Sequence, residues 1–206
     1  MSAGLEWDWD EMISTPDYVQ YVLDQPMYIE PGAEFFYSSG NAHVLSAIIQ
    51  ETSGLNAHDF GQHYLFDYLG VDDLNWKKDL SGISKGGWGM KMKPRDMAKF
   101  GYLYLNRGVW DGLQVIPSEW IEASTKRYIQ VPEPLEPWDL YMGYLWWLHE
   151  EGIYAAQGMK GQFIYVIPEF DMVVVITSHI PDSKFSQPQF LIRDYIIPAV
   201  KSTANK

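Results

Sequence analysis

The sequence changes from helical to extended patterning near residue 137, and this change limits the fold more than any other feature. Before it, apolar residues recur at helical spacing, most clearly over residues 94–108. After it, aromatic and β-branched runs alternate with Gly, Pro-Glu or charged turns, which is typical of antiparallel strands. The pattern predicts a four-stranded meander with strands at residues 141–148, 153–157, 162–167 and 172–178.

A helix is predicted after these strands, from residue 188 or 189 to residue 200. The side chains expected to face inward are Phe190, Leu191, Tyr195 and Ile196. We therefore predict an α/β fold of the α+β type, in which an antiparallel sheet and a C-terminal helix occupy residues 131–206. Residues 1–130 are expected to form a mainly helical lobe.

A turn followed by a helix is predicted between residues 30 and 54. Pro31-Gly32 reverses the chain, because Pro fixes φ and Gly accepts positive φ. Asn41 is the expected N-cap of the helix, and Gly54 stands where a helix end favours a left-handed residue. The apolar stripe expected on this helix consists of Val44, Leu45, Ile48 and Ile49.

Tyr37, Ser38 and Ser39 directly precede this predicted helix. Free backbone N–H groups and the positive end of the helix dipole favour negative charge at such a position. A tyrosinate placed there could act as a base. Spacing alone favours a second interpretation, in which the Tyr37 ring simply packs over the start of the helix.

Several segments resemble the superfamily of serine β-lactamases and penicillin-binding proteins. Pro31-Gly32, followed after three residues by Phe-Tyr-Ser-Ser at 36–39, is similar to its second motif, and residues 96–120 resemble it closely. The similarity is greatest to the branch with class C β-lactamases, family VIII esterases, D-amino-acid peptidases and nylon-oligomer hydrolases. It implies a single β-lactamase/transpeptidase-like domain that is incomplete at its N-terminus.

The resemblance implies roles for residues around position 37. The second motif of the family is usually Tyr-x-Asn, whose Tyr is the general base for a nucleophilic serine, so Tyr37 takes that role. Ser39 stands in place of the Asn, and its hydroxyl still donates and accepts hydrogen bonds, so it is expected to orient the substrate. Trp7, Trp9 and Trp146 are expected to form the substrate wall.

The turn after the second predicted strand resembles the third motif of the family. There a Lys/His-x-Gly strand lines the cleft and a backbone N–H stabilises the oxyanion. Here residues 156–158 are Ala-Gln-Gly without the cation, and Lys160 is the candidate to replace it. The oxyanion hole is expected near the N–H groups of Gly158 and Met159. Without the resemblance, Gly158 and Gly161 are more simply hairpin glycines.

No serine in the sequence is followed by lysine three residues later. The first motif of the family is Ser-x-x-Lys on a helix, which pairs the nucleophile with a lysine one turn away. By resemblance this motif would lie ahead of residue 1. The chain is therefore predicted to be a portion of a serine acyl-hydrolase that is inactive by itself. The alternative is a non-catalytic ligand-binding or interaction domain derived from the same fold.

Composition argues against several other classes of function. Asp and Glu outnumber Lys and Arg by 27 to 15, and the net charge of −12 disfavours nucleic acids and anionic membrane surfaces as partners. The sequence has no cysteine, no apolar run long enough to span a bilayer and no signal-peptide pattern at residues 1–7. His58 and His63 lack the spacing of the helical zinc motif, and no metal or cofactor is predicted.

The expected ligand is a small ester, amide or peptide-like substrate. Without the N-terminal part of the family domain, the sheet would expose a strand edge and an apolar face. We therefore expect the chain to form a homo-oligomer or to be completed by an N-terminal segment. The compartment stays open, although the resemblance is compatible with the periplasm.

Overall fold

The computed structural model describes residues 1–132 and 138–204, which fall into two compact units, Met1–Lys93 (unit 1) and Pro94–Lys206 (unit 2). The compact units divide well before residue 130, where the end of the helical lobe was expected. The reason is that the helix Pro94–Leu105 packs against the sheet formed by the later strands. This helix therefore belongs with the sheet and not with the helices that precede it.

Unit 1 consists of helices and a small antiparallel strand pair. The helices are α1, Trp9–Ser14; α2, Tyr18–Leu23; α3, Ser39–Ser53; and α4, Ala57–Gly61, which a π-helical segment, Gln62–Phe66, continues. The strands are β1, Asn75–Trp76, and β2, Met90–Lys91. A core cluster of Met12, Tyr18 and Val22 joins α1 to α2.

Helix α3 begins earlier than the sequence predicts and ends where expected. The Ser38 Oγ accepts the N–H of Asn41 at 3.1 Å, so Ser38 is the N-cap and the prediction of Asn41 was wrong. Gly54 ends the helix with φ +74°, which confirms its predicted role. The helix start therefore lies immediately after Tyr37.

Only part of the predicted apolar stripe of α3 faces the core, since Val44 is partly buried against the cluster of Met12, Tyr18 and Val22. Leu45 is 51% exposed and Ile48 is 50% exposed. The buried face instead carries small or polar residues, namely Ser39, Gly40, Ala42, His43, Ser46 and Ala47. Small side chains allow other backbone segments to approach closely, and this advantage outweighs the burial of the larger apolar residues on the opposite side.

Unit 2 combines short helices with one main sheet. Its helices are α5, Pro94–Leu105; α6, Ser118–Ser124; α7, Gln187–Leu191; and α8, Ile197–Ala204, with a π-helical segment, Ile192–Ile196, between the last two. A small hairpin consists of β3, Val109–Trp110, and β4, Leu113–Gln114. The main sheet contains β5, Ile129–Gln130; β6, Tyr141–Met142; β7, Trp147–Leu148; β8, Tyr154–Gly158; β9, Gln162–Ile167; and β10, Met172–Ile176.

The main sheet is an antiparallel meander, as predicted, but it has more strands. Within the described residues its order is β10-β9-β8-β7-β6-β5. Residues 141–148, predicted as one strand, form two strands joined by a turn. Leu145 has φ +65° in this turn, and Gly143 lies so close to the Ser124 carbonyl oxygen that a Cβ would be 2.2 Å from it. This approach leaves room only for glycine at position 143.

Alternate residues of β9 face opposite layers, as the period of a strand requires. Phe163, Tyr165 and Ile167 pack with Ile192 and Ile197 of the closing helical segments. On the other face, Gly101 of α5 lies against Ile164 and Val173. The sheet is therefore covered by α5 on one side and by the closing helices on the other, which confirms the predicted α+β fold.

The closing helical segments bury a different face from the predicted one. Phe190, Leu191 and Tyr195 are exposed, and only Ile196 is partly buried. The buried positions are Gln189, Ile192 and Ile197. The π-helical segment adds a residue to one turn and so shifts which side chains face the sheet. In addition, a hydrogen bond to the buried carboxylate of Asp139 holds Gln189 inward.

Across the described ranges 1–132 and 138–204, no helix combines the length and apolarity that a bilayer crossing requires.

Candidate active site

Tyr37 lies directly before the N-cap of α3 and is 41% exposed. Ser38 is buried, with its hydroxyl committed to the helix cap. The first N–H groups of a helix lack intrahelical acceptors, and the helix dipole places partial positive charge at the same end. The phenol of Tyr37 thus has access to solvent at a position that favours negative charge.

The first residues of the chain hold the backbone around Tyr37. The Trp7 indole N–H donates to the Tyr37 carbonyl oxygen at 2.9 Å. The Phe36 N–H donates to the Met1 carbonyl oxygen at 2.9 Å, and the Ser38 N–H donates to the Met1 sulfur at 3.3 Å. Hydrogen bonds therefore hold the backbone at Tyr37 and at both of its neighbours.

Trp7 and Trp9, predicted as part of a substrate wall, belong to an aromatic group with Trp88. The ring centroids of Trp7 and Trp9 are 6.3 Å apart, and those of Trp9 and Trp88 are 4.9 Å apart, both with edge-to-face geometry. All three residues are partly buried. The structure thus connects Trp7 to Tyr37 and adds Trp88 to the group, while the contact with substrate stays a prediction.

Ser39 occupies the first turn of α3 beneath a pair of glycines. It is 8% exposed. A Cβ on Gly87 would lie 2.8 Å from the Cβ of Ser39, and one on Gly86 would lie 2.0 Å from the Ala42 carbonyl oxygen. Only glycine allows this close approach of two backbones. The Gly86-Gly87 segment therefore covers most of Ser39, whose substrate-orienting role stays a prediction.

A buried hydrogen-bonded pair of His43 and Asp79 beneath this segment was not expected from the sequence. His43 Nε2 lies 2.9 Å from Asp79 Oδ2, and neither side chain has more than 1% of its area exposed. His43 sits four residues after Ser39, on the same face of α3. That spacing is the only sequence signal that could have singled it out, because Asp79 is 36 residues away.

The predicted third-motif turn connects β8 and β9 in unit 2. Lys160 has φ +63° and Gly161 has φ +85°, so both adopt the left-handed conformation. The Ser178 Oγ donates to the Lys160 carbonyl oxygen at 2.7 Å and lies 2.9 Å from that of Gly161. Met159 is exposed. The turn is thus anchored by the segment after β10, and its predicted oxyanion role stays a prediction.

Gln157, in the predicted third-motif strand, points into a buried polar cluster. Its Nε2 donates to Asp139 Oδ1 at 2.7 Å, and Gln189 Nε2 donates to Asp139 Oδ2 at 3.3 Å. His149 Nδ1 lies 3.3 Å from Asp139 Oδ1. Asp139 has no exposed surface. One carboxylate therefore joins β8, the residue after β7 and the closing helix α7.

His149 in this cluster is a neutral histidine. Its Nδ1 donates to the Trp138 carbonyl oxygen at 2.8 Å, and its buried Nε2 has no hydrogen-bond partner among the described residues. Burial lowers its pKa to about 4, against a smaller raising effect of the Trp138 carbonyl. Protonation of Nε2 would create a buried N–H that no described residue accepts.

We expect the stability of unit 2 to fall between pH 6.5 and pH 4 for this reason. The unfolded chain binds a proton at His149 near pH 6.5, whereas the folded chain does so only near pH 4. The contribution of neutral His149 to the free energy of unfolding is therefore complete above pH 6.5. About 3 kcal/mol of it is lost as the pH falls from 6.5 to 4. Urea unfolding at several pH values measures it.

The matched variants for this measurement are His149→Gln and His179→Gln. His149→Gln removes the buried imidazole, so the slope of stability with pH should shrink over the same window. His179 is exposed, so His179→Gln should keep the slope of the wild type. An unchanged slope in His149→Gln would show that His149 is not held neutral by burial.

Trp146, the third tryptophan of the predicted substrate wall, is a core residue of unit 2. It is 4% exposed, with ring centroids 4.6 Å from Tyr104 and 5.2 Å from Tyr154. Phe100 stacks in parallel at 6.1 Å. Because aromatic rings enclose it, Trp146 is not part of an open wall in this structure.

The described part of the chain contains no group of three His, Asp or Glu side chains placed to hold a metal ion.

Known proteins with similar sequences include a curated bacterial hydrolase. The 6-aminohexanoate-dimer hydrolase of Paenarthrobacter ureafaciens is 30% identical over 158 residues, which cover 72% of this chain and 40% of that protein. The match thus spans less than half the length of this curated relative.

Solved structures show the same fold. A Bacillus anthracis protein assigned as a 6-aminohexanoate-dimer hydrolase has a TM-score of 0.71 and 25% identity, over 87% of this chain and 49% of that one. An octameric penicillin-binding protein homologue from Pyrococcus abyssi has a TM-score of 0.64 and 21% identity, over 87% and 48%. A family model described as Beta-lactamase matches residues 1–193. The chain therefore belongs to the β-lactamase family, within the superfamily of serine β-lactamases and penicillin-binding proteins.

Proposed function

We propose that the chain is a portion of a serine acyl-hydrolase in which Tyr37 is the general base. The observation that carries this proposal is the position of Tyr37, which is solvent-accessible, fixed at its backbone and next to the N-terminus of the 15-residue helix α3. A base must reach the proton that it removes and must tolerate negative charge. Among the residues around the start of α3, Tyr37 combines both properties.

The attacking hydroxyl of this reaction would come from outside the 206 residues. No serine here has lysine three residues later, and Ser38 and Ser39 are both buried. The adjacent pair Ser84-Lys85 offers no alternative, since Ser84 is fully buried and its hydroxyl donates to Asn56 Oδ1 at 3.2 Å. A segment carrying Ser-x-x-Lys would therefore complete the enzyme.

The coding DNA immediately ahead of Met1 tests this proposal. An in-frame Ser-x-x-Lys motif there would support it, because the first motif would then belong to the same polypeptide. A stop codon and a ribosome-binding site at that place would overturn it. They would favour the second candidate, a non-catalytic binding domain, for which the lack of a Ser-x-x-Lys motif within these residues is the supporting observation.

We expect the 206-residue chain by itself to remain unlabelled by fluorophosphonate and penicillin probes. Acylation requires a serine activated by a neighbouring base, and no serine of these residues stands in the Ser-x-x-Lys motif that supplies one in the family. Intact-mass spectrometry after incubation measures labelling, with a β-lactamase that contains Ser-x-x-Lys as the positive control. A stoichiometric mass increase on any serine of the chain would contradict the expectation.

The proposed substrate is a small ester, amide or peptide-like molecule. The similarity to a 6-aminohexanoate-dimer hydrolase makes a linear amide the first compound to assay. In unit 2, the anchored β8–β9 turn is proposed to offer the N–H groups near Gly158 and Met159 to the carbonyl oxygen, with Lys160 as a nearby cation. A p-nitrophenyl ester and a β-lactam, assayed in parallel, distinguish the acyl groups that the completed enzyme accepts.

The proposed completing segment also has surfaces on which to pack. Strand β10 has one hydrogen-bonded neighbour among the described strands and so lies at a sheet edge. Leu45 and Ile48 of α3 are half exposed. Uncovered edges and apolar side chains promote association. A second copy of the chain is the other candidate to cover them.

A further inference from the structure

The buried pair of His43 and Asp79 has no part in the proposed reaction, yet it is built with complete hydrogen bonding. His43 Nε2 is 2.9 Å from Asp79 Oδ2. The other Asp79 oxygen, Oδ1, accepts the N–H of Ile83 at 2.8 Å. Burying an ionisable pair costs desolvation free energy that apolar residues of the same volume would not incur. The pair therefore calls for an explanation beyond core filling.

The hydrogen bonds of the imidazole determine its tautomer. The backbone N–H of Gly86 points at His43 Nδ1 over 3.3 Å, and a backbone N–H can only donate. His43 Nδ1 is therefore an acceptor, and the ring proton lies on Nε2, where it is donated to Asp79. The carboxylate thus selects the tautomer that receives the Gly86 N–H, as the partner of a catalytic histidine does in other enzymes.

The hydrogen bond from the Gly86 N–H to His43 Nδ1 lies where the pair Gly86-Gly87 approaches α3 most closely. A Cβ on Gly86 would be 2.8 Å from the His43 Cα, and a Cβ on Gly87 would be 2.9 Å from the Ser39 carbonyl oxygen. Trp88 follows directly, with its ring centroid 5.6 Å from that of His43. The imidazole is thus the polar attachment point of residues 86–88 on the first two turns of α3.

We propose that His43 is a positioning residue whose Nε2–H tautomer, selected by Asp79, holds Gly86-Gly87 over Ser39. The segment would otherwise have one unsatisfied N–H against a buried helix face, and the cover over Ser39 would loosen. The relevance of this cover to acyl transfer rests on the proposed function. The hydrogen-bond arrangement itself does not depend on it.

The substitution Asp79→Asn tests the arrangement by geometry. An asparagine has one acceptor oxygen and one donor NH₂ in place of two acceptors. If its oxygen faces Ile83, the NH₂ faces His43 Nε2 and drives the proton to Nδ1, opposite the Gly86 N–H. If its oxygen faces Nε2, the NH₂ opposes the Ile83 N–H. Either way, the variant must lose one of these two backbone hydrogen bonds.

Amide hydrogen exchange by NMR measures the loss. We expect the Gly86 or the Ile83 amide of Asp79→Asn to exchange roughly 10- to 100-fold faster than in the wild type, since a buried donor loses its acceptor. The Lys77 amide donates to the Gly89 carbonyl oxygen in the same loop, without contact to the imidazole, and should change little. Unchanged exchange at both Gly86 and Ile83 would overturn the proposal.

Two substitutions at His43 test the roles of its two ring nitrogens separately. His43→Asn places an amide oxygen near the former position of Nδ1, so the Gly86 amide should keep most of its protection from hydrogen exchange. His43→Gln reaches toward Asp79 but leaves no acceptor near Gly86, so that protection should fall roughly 10-fold or more. Equal loss of protection in both variants would mean that the imidazole only fills space.

The wild-type chain provides a test that needs no variant. The ¹⁵N shifts of the His43 ring should show a protonated Nε2 and an unprotonated Nδ1. A protonated Nδ1 would overturn the proposal, even if every variant failed to fold. None of these measurements uses turnover, so failure of the proposed acyl-hydrolase function would leave them intact, and the two proposals fail separately.

Discussion

Replacement of Asp139 with alanine is expected to lower the free energy of unfolding of unit 2 by about 3–5 kcal/mol. The carboxylate is fully buried and accepts hydrogen bonds from Gln157 and Gln189. Its removal leaves the buried amide of Gln189 and the partly buried amide of Gln157 without that acceptor, next to an imidazole whose Nε2 already has no partner among the described residues. The closing helix α7 would also lose its polar attachment to β8.

Urea unfolding followed by tryptophan fluorescence measures this effect, since Trp138 and Trp146 report on unit 2. Asp194→Ala is the matched control, because Asp194 is an exposed aspartate of the same unit whose partner is Arg193. An exposed ion pair contributes about 0–1 kcal/mol, so this variant should remain close to the wild type. Equal effects of the two substitutions would show that the buried cluster does not stabilise the fold.

Tyr37→Phe should lower kcat/KM by about 10²- to 10⁴-fold in the polypeptide completed by a Ser-x-x-Lys segment, which is the usual contribution of a general base. The change removes the phenolic oxygen and keeps the ring. Folding should be little affected, because Tyr37 is 41% exposed and its backbone is held by the Trp7 indole and by the hydrogen bonds of Phe36 and Ser38 to Met1. Hydrolysis of a p-nitrophenyl ester gives the rate.

Tyr28→Phe is the control for this experiment. Tyr28 is an exposed tyrosine of the same unit, and its substitution should leave kcat/KM within a factor of about two. The result that contradicts the assignment is a Tyr37→Phe enzyme with nearly full activity and a wild-type unfolding curve. The proton would then be removed by another group.

The sequence predicted local structure best where one residue type or one short period decides it. Strand β9 runs from Gln162 to Ile167, as predicted from its run of aromatic and β-branched residues between turn residues. Gly54 ends α3, because few other residues adopt positive φ without cost. The resemblance at residues 36–39 and 96–120 also identified the family before any fold was known, since those segments follow its motifs closely.

The candidate site was predicted only in part. Tyr37 could be singled out because its place before a helix can be read from nearby residues. Trp146 could not be assigned to the core from its own sequence, because two of the rings that enclose it, Phe100 and Tyr104, are distant along the chain. The pair of His43 and Asp79 was missed for the same reason.

The sequence by itself determined the types of the elements, several of their ends and the family, because these depend on backbone preferences and motifs within a few neighbouring residues. Only the tertiary structure decided which face of α3 and of the closing helix is buried. Periodicity shows that a helix has two faces, but the face that packs depends on what approaches it. Here the approaching groups are Gly86-Gly87 and the carboxylate of Asp139, each more than 40 residues along the chain from the helix residues that it contacts.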